Sequence, residues 1–494
     1  MFKIIMNTSV YKFPNRIIVS IILASLVFLT SVAQAQNFEA FYGENPARDA
    51  GEDVKSVNVC LGGGSIVAGS RRTPIAMEIL VTRVDDDGVG LWQRAYRIAG
   101  STQSTARAVV EVRDGSGFAL TGSVLRPNGV FVHVLRIRCD GSLMWARVFA
   151  NQANSHRSVG HDIIEAVNPV SPLAAGDLVA VGEENFAVPA GSVQGRVIRL
   201  NSAGAVIFDR AYNQPAPQLG LRFRAVTESR SAAGPAQDLV VAGVAAFGAN
   251  WGSDRRALMF RVRFNGAPVC NASMGFLDST NEDFYGLTNL TFGNFPQETV
   301  LVGSSSPLVA GSLPLYMVRF RALGCIPMVQ SMWSDPVDVA TAYDVVEIPG
   351  GVPGAGSVIA AGTLRSTLTA GDAFSLSATP VSLGPNAPAM RYSTQSPRAE
   401  TIFSIDLKSG RFVMAGSTFS DWDGVADGQD FYLVQTDPNR KTQCAVPWNF
   451  SWSPVNLPRQ QFTPLVAAVQ LSQMVNVLVL NATDEGYCCI LDPN

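Results

Sequence analysis

A short apolar run ending in glycine recurs along this chain, and the recurrence restricts its fold more than any other feature. The copies are SIVAGS at Gly69, FALTGS at Gly122, LVAVGE at Gly182, LVVAGV at Gly243, TVLVGS at Gly303, VIAAGT at Gly362 and FVMAGS at Gly416. An eighth, VLVLNA, carries Asn481 in place of Gly, the other residue that tolerates left-handed backbone angles. Successive intervals are 53, 60, 61, 60, 59, 54 and 65 residues. A unit of that length buries its apolar face only against its neighbours, so the chain reads as an array.

The stretch Asp114–Phe149 shows what one unit contains. Phe118–Thr121, Val130–Ile137 and Leu143–Phe149 read as three successive strands, with Asp114-Gly115, Pro127-Asn128-Gly129 and Asp140-Gly141 as the turns around them. A further strand precedes each glycine: ARAVVEV (106–112), HDIIEAV (161–167), RAVTES (224–229) and YDVVEI (343–348). Four short antiparallel strands per repeat, eight times, point to an all-β, single-domain, eight-bladed β-propeller over residues 36–494. The eighth repeat, with strands near 464–471, 476–482 and 486–491, stops short of a fourth strand. FEAFYG (38–43) resembles the fourth strands LWQRAY (91–96) and MWARVF (144–149). This N-terminal strand is therefore expected to join the C-terminal blade beside 486–491 and close the ring, leaving no open sheet edge.

Two stretches, GSTFSDWDGVADGQDFYLVQTD (416–437) and RVDDDGVGLWQRAY (83–96), resemble the bacterial secreted propellers with SBBP-type repeats. The likeness extends along essentially all of the chain beyond residue 35, although repeats four to six lack the Trp motif at the usual place. It implies a fold and no particular activity.

Residues 1–35 read as a signal peptide. Lys3, Lys12 and Arg16 form a basic segment, Ile17–Leu29 an apolar one, and Ala33-Gln34-Ala35 a small-x-small cleavage site. Thirteen apolar-segment residues are too few to span a bilayer comfortably. A secreted chain, periplasmic or extracellular, without membrane insertion after cleavage, is expected. Cleavage removes three of the basic residues and no acid, moving the formal charge from −3 to −6. With no basic block, a nucleic-acid partner is not expected. Seven cysteines, Cys60, Cys139, Cys270, Cys325, Cys444, Cys488 and Cys489, enter that oxidising setting, and spacing leaves their connectivity open.

Several groups are candidates for chemistry. Trp92-x-Arg94-x-Tyr96, Trp145-x-Arg147-x-Phe149 and Phe208-x-Arg210-x-Tyr212 each put three side chains on one strand face, either as a ladder for sugar rings or as packing between blades. Asp421, Asp423 and Asp427, in a Gly-containing loop, offer oxygens to calcium, or form a polar turn. His156 and His161 make a weak H-x4-H metal signal, and Cys488-Cys489 resembles the vicinal disulfide of quinoprotein dehydrogenases. Aligned first strands give one polar column, Asn58, Glu111, Glu165, Glu228, Asn289, Glu347, Asp406 and Gln470. Its members either ring the channel as mutually repelling acids that recruit a cation, or each satisfy a local hydrogen bond.

No GxSxG, HExxH or phosphate loop occurs. The expected function is an exported, non-catalytic binding or adhesion platform for a protein or glycan, with no resident cofactor beyond that calcium. The alternatives are a carbohydrate-active or quinoprotein-like enzyme with its site at the channel mouth, and a structural cell-surface component. Convergence of two carboxylates, or of histidine with a carboxylate, in one pocket would mark the enzyme.

Overall fold

The computed structural model describes residues 37–442 apart from 43–47, 150–154, 167–175, 187–191, 214–217, 232–233, 248–254, 275–280, 292–297, 306–313, 323, 335–337, 367–370, 393–398 and 419–429, together with five strand segments between 446 and 484. The signal-peptide reading of 1–35, the Asp421, Asp423 and Asp427 loop, Cys444 and the Cys488-Cys489 pair lie outside the described residues.

The described secondary structure is β throughout, arranged as seven antiparallel meanders of the propeller type. The first comprises Arg48–Ser56, Ser65–Arg72, Met77–Val84 and Gly90–Ile98, and the second Gln103–Val112, Gly117–Arg126, Gly129–Ile137 and Leu143–Phe149. The third runs Ser155–Ala166, Asp177–Phe186, Ser192–Leu200 and Val206–Tyr212, and the fourth Gln218–Ser231, Gly234–Phe247, Arg255–Arg263 and Pro268–Met274. The fifth has Glu282–Asn289, Glu298–Ser305, Leu315–Arg321 and Ile326–Ser334, the sixth Asp338–Glu347, Val358–Ser366, Asp372–Ala378 and Pro385–Tyr392. The seventh, among the described residues, has three strands of its own, Glu400–Lys408, Arg411–Thr418 and Asp430–Gln435.

The missing strand comes from the other end of the chain. Phe38–Tyr42 pairs with Asp430–Gln435, in a register that sets Phe38 against Gln435. The partner expected near 486–491 lies outside the described residues, and among the described strands Phe38–Tyr42 completes the sheet of the seventh repeat. Phe38, Ala40 and Tyr42 bury themselves with Phe431 and Leu433. The Tyr42 hydroxyl donates to the Gly88 carbonyl in the first meander at 2.6 Å. Other fourth strands make the same bond onward, Tyr96 to the Gly141 carbonyl and Tyr212 to that of Gly266. Tyr42 thus does what the likeness of FEAFYG to LWQRAY implies, one repeat earlier than expected.

No eighth meander is formed by the described strands. Instead the C-terminal segments add a fifth strand to existing sheets, antiparallel to each fourth strand. Val446–Trp448 joins the sixth meander and Ser451–Pro454 the fifth. Ala468–Gln470 joins the third, Met474–Asn476 the second and Val479–Asp484 the first. An edge strand offers unpaired backbone groups to any passing strand, and these additions cover five of them.

The repeated glycine proves to act by close approach and not through a left-handed turn. None of the seven has positive φ. A Cβ on Gly69 would lie 1.8 Å from the Ala50 carbonyl oxygen, and one on Gly122 2.0 Å from that of Thr105. The carbonyl is pushed inward by a β-bulge in the facing first strand, where the register slips by one residue between Gly51 and Asp53 and between Ala106 and Ala108. Equivalent slips occur in all seven first strands. A bulge re-aims the extra residue's side chain.

Two disulfides join neighbouring meanders, Cys60–Cys139 and Cys270–Cys325. They fit an oxidising compartment. Among the described residues no helix is long and apolar enough to cross a membrane.

Candidate functional site

The seven extra residues of the bulges are Glu52, Arg107, His161, Arg224, Tyr285, Tyr343 and Phe403, and all seven line one cavity of about 180 Å³ between the first strands. In chain order they divide the wall. Four ionisable groups come from the first four meanders, and three aromatic rings from the last three. Tyr285 meets Tyr343 edge-on with centroids 5.3 Å apart, and Tyr343 meets Phe403 likewise at 5.3 Å. The Arg224 guanidinium lies 5.8 Å from the Tyr285 centroid and bridges the two halves.

On the charged side, His161 Nδ1 is 3.0 Å from Arg107 Nη1 and 3.3 Å from Arg224 Nη1. Its Nε2 is 3.5 Å from the Glu183 carboxylate. Burial, followed by the charge of Arg224, holds the imidazole down to about 3, so it is neutral at physiological pH. Arg224 Nη1 is also 3.3 Å from Nε2, and with Arg107 facing Nδ1 and the Glu183 carboxylate near Nε2, the proton is assigned to Nε2. Glu183 is in turn 2.9 Å from Arg222.

One residue beyond each bulge, three aspartates form the next layer. Asp53 accepts from the Val109 amide at 2.8 Å, Asp162 from Val226 at 2.7 Å and Asp344 from Ile405 at 3.1 Å. Each bond crosses to the following meander. Ser404 stands within 2.6 Å of Asp53 and 3.0 Å of Asp344 and donates its single proton between them. Burial pushes Asp162 up to about 7 and Asp344 up to about 6, with Asp53 adding to both and Lys55 opposing. Lys55 Nζ is 3.1 Å from Asp53. Burial opposes its charge, but Asp53, Asp344, Asp406 and Asp162 outweigh that and hold its pKa above the ordinary value. Glu52 is also raised, by burial first, with Arg107 pulling the other way. No backbone amide among the described residues engages it, which leaves its carboxyl available for proton transfer.

The polar column lies deeper in the same strands. Glu111, Glu165, Glu228, Asn289 and Glu347 share one rung, each opposite the residue four before the repeat glycine. Ser56 and Leu407 occupy that rung in the first and seventh meanders. Asp406 precedes it by one residue, Asn58 follows it by two, and Gln470 lies in the added strand opposite Arg210. Glu111 accepts from the amides of Asn58 and Cys60, each at 2.7 Å, Glu165 from Arg113 at 2.9 Å, Glu347 from Thr291 at 2.6 Å and Asp406 from Ser56 at 2.6 Å. The amide of Asn289 donates to Thr227 at 2.9 Å. Each partner lies in the neighbouring meander, so hydrogen bonding accounts for these side chains. Among the described residues no three His, Cys, Asp or Glu groups are placed to hold a metal ion.

The fourth-strand aromatic and arginine ladders pack between meanders. Arg147 lies 5.3 Å over Trp145 and Arg210 5.5 Å over Phe208, while Trp92 donates to the Cys139 carbonyl at 3.0 Å. Of the two histidines in H-x4-H, His161 enters the cavity, and the side chain of His156 lies outside the described ones.

No protein-family model matches the chain, and no curated protein matches it. Similar solved structures are Sqt1 from Chaetomium thermophilum (9% identity, TM-score 0.38, 78% of this chain and 84% of that one) and the α-L-arabinofuranosidase Arb93A from Fusarium graminearum (11%, 0.40, 67% and 92%). The NanB sialidase from Streptococcus pneumoniae is a third (10%, 0.40, 84% and 70%). These likenesses are of the propeller type and coarse, and no residue role is carried over from them. The expectation of a non-catalytic binding or adhesion platform is corrected at this point. A platform presents a broad rim without convergence. Here a histidine, two arginines and four carboxylates converge in one cavity.

Proposed function

We propose that this chain is a closed seven-bladed β-propeller acting as a carbohydrate-active enzyme, with its site at the bulge layer of the central channel. The supporting observation is the cavity wall itself, in which an aromatic arc faces acid groups of raised pKa. Aromatic faces receive the apolar face of a sugar ring, and the remaining wall meets its hydroxyls. Glycoside cleavage needs a carboxylic acid to protonate the departing oxygen and negative charge near the cationic ring carbon of the transition state. Glu52 is placed for the first role, being raised by burial and free of backbone amides among the described residues. Asp53, beside the Lys55 ammonium and held by Val109, supplies the fixed carboxylate for the second.

The test is hydrolysis of a panel of aryl glycosides, neutral and acidic, by the chain without residues 1–35. Glu52→Gln is expected to lower kcat by about 10²–10⁴-fold, the usual contribution of general acid catalysis, with KM little changed. Full activity in E52Q removes Glu52 from the reaction. No turnover of any glycoside by the wild type removes the reading itself.

A further inference from the structure

We infer that Arg107 and Arg224, on either side of His161, receive the carboxylate of a hexuronic acid whose ring lies against the Tyr285–Tyr343–Phe403 arc. This rests on the carbohydrate-active reading and names its substrate class.

The two guanidinium groups flank one imidazole, Arg107 Nη1 at 3.0 Å from Nδ1 and Arg224 Nη1 at 3.3 Å from both ring nitrogens. Like charges so close repel, and the arrangement is stabilised most when an anion sits between them. The charges already present do not fill that role. The imidazole is neutral and presents only a lone pair. Glu183 lies behind it, and its nearest arginine is Arg222 at 2.9 Å. Glu52 acts on Arg107 through charge alone. Each guanidinium has five N–H donors, and the imidazole engages only Nη1 of each. Arg224 Nε in particular is buried without a hydrogen-bond partner among the described residues. A buried, unmet cationic donor is costly, and a ligand oxygen is what would satisfy it.

Planarity and size select within anions. A guanidinium fork matches the two coplanar oxygens of a carboxylate. About 180 Å³ lies below the roughly 300–1,000 Å³ of sites for drug-sized ligands, which suits one ring in place of a chain. The cations and the aromatic arc occupy adjoining parts of one wall, with Arg224 over Tyr285 at the junction. A single ring carrying a carboxylate spans that junction, with its acid group on the arginines and its carbon face on the rings.

Calorimetric titration of the chain with galacturonate, glucuronate, galactose, glucose and galactose 6-sulfate separates the cases. At least one uronate is expected to bind at least tenfold more tightly than its neutral counterpart. The double variant Arg107→Ala, Arg224→Ala is expected to erase that preference. Arg107→Lys and Arg224→Lys keep the charge and the fold but lose the planar fork, and each is expected to weaken the uronate severalfold without affecting galactose. Equal affinity for uronates and neutral sugars overturns the carboxylate site while leaving the carbohydrate reading standing. Preference for the sulfate ester overturns the planar-acid assignment. Absence of binding to every sugar removes both.

Discussion

The Asp53 carboxylate accepts the backbone amide of Val109 at 2.8 Å, across 56 residues and from one meander to the next. Asp162 and Asp344 repeat the bond with Val226 and Ile405. The layer that lines the cavity also ties neighbouring first strands together, so the site and the packing of the meanders are built from the same groups.

Replacing one of these aspartates should therefore be costly without touching any apolar core. Asp162→Ala strands the buried amide of Val226, and about 1–3 kcal/mol is the usual cost of leaving such a group unmet. Urea unfolding is expected to show a lower midpoint at unchanged slope. A midpoint equal to that of the wild type would mean that water replaces the carboxylate at no cost.

The pH dependence has two limbs of opposite sign. His161 titrates at about 3 in the fold against an ordinary 6.5, so between these values the unfolded chain holds the extra proton, and stability falls as pH drops through that window. Asp162 titrates at about 7 against 3.8, so the fold holds the extra proton there, and stability falls as pH rises from 3.8 through 7. Melting curves across both windows should show His161→Gln flattening the acid limb and Asp162→Asn the neutral one. Variants that run parallel to the wild type throughout would contradict this.

Removal of residues 37–42 should open the seventh sheet. Phe38, Ala40 and Tyr42 leave the core, and burial of one large apolar side chain is worth roughly 1.5–3 kcal/mol. A melting temperature many degrees lower is expected. The synthetic peptide of residues 37–42 at high concentration should restore part of it, and an unchanged melting curve would argue against the pairing.

The disulfides span 79 and 55 residues, Cys60–Cys139 and Cys270–Cys325. Loss of each is expected to cost about 2–4 kcal/mol, chiefly by freeing the unfolded chain. Cys60→Ser with Cys139→Ser, compared with the wild type in guanidinium, measures the first. Peptide mapping without reduction checks both pairings, and any other pairing of these four would refute the arrangement.

Much was legible in the repeat alone. Apolar runs of strand length, Asp-Gly turns and a glycine at near-regular intervals specify β-meanders stacked as a propeller, because each unit has an apolar face that only its neighbour can cover. The likeness of FEAFYG to LWQRAY identified Phe38–Tyr42 as a fourth strand, and only the tertiary structure decided which sheet it completes. VLVLNA has the local pattern of a repeat strand, yet its described part runs along the outside of the first meander. Local hydrophobic pattern sets a strand and its faces but does not choose between edges of similar character. The site was harder to read for a related reason. The bulge residues stand four positions before the acidic column in the second to sixth repeats, as Arg107 stands before Glu111 and His161 before Glu165, so an alignment of first strands contains them. Their chemistry differs from repeat to repeat, however, and a column of Glu, Arg, His, Arg, Tyr, Tyr and Phe has no periodicity to mark it. The repeat glycines carried the signal, since a glycine that is not in a turn implies a backbone pressed against it. That the pressing strand bulges, and that seven bulges aim side chains of five kinds into one cavity, depends on contacts between residues up to about 350 positions apart, such as Ser404 with Asp53. Charge and burial at that cavity, and with them the protonation of Glu52, Asp162 and His161, exist only once packing of the meanders has brought those groups out of water and within reach of one another.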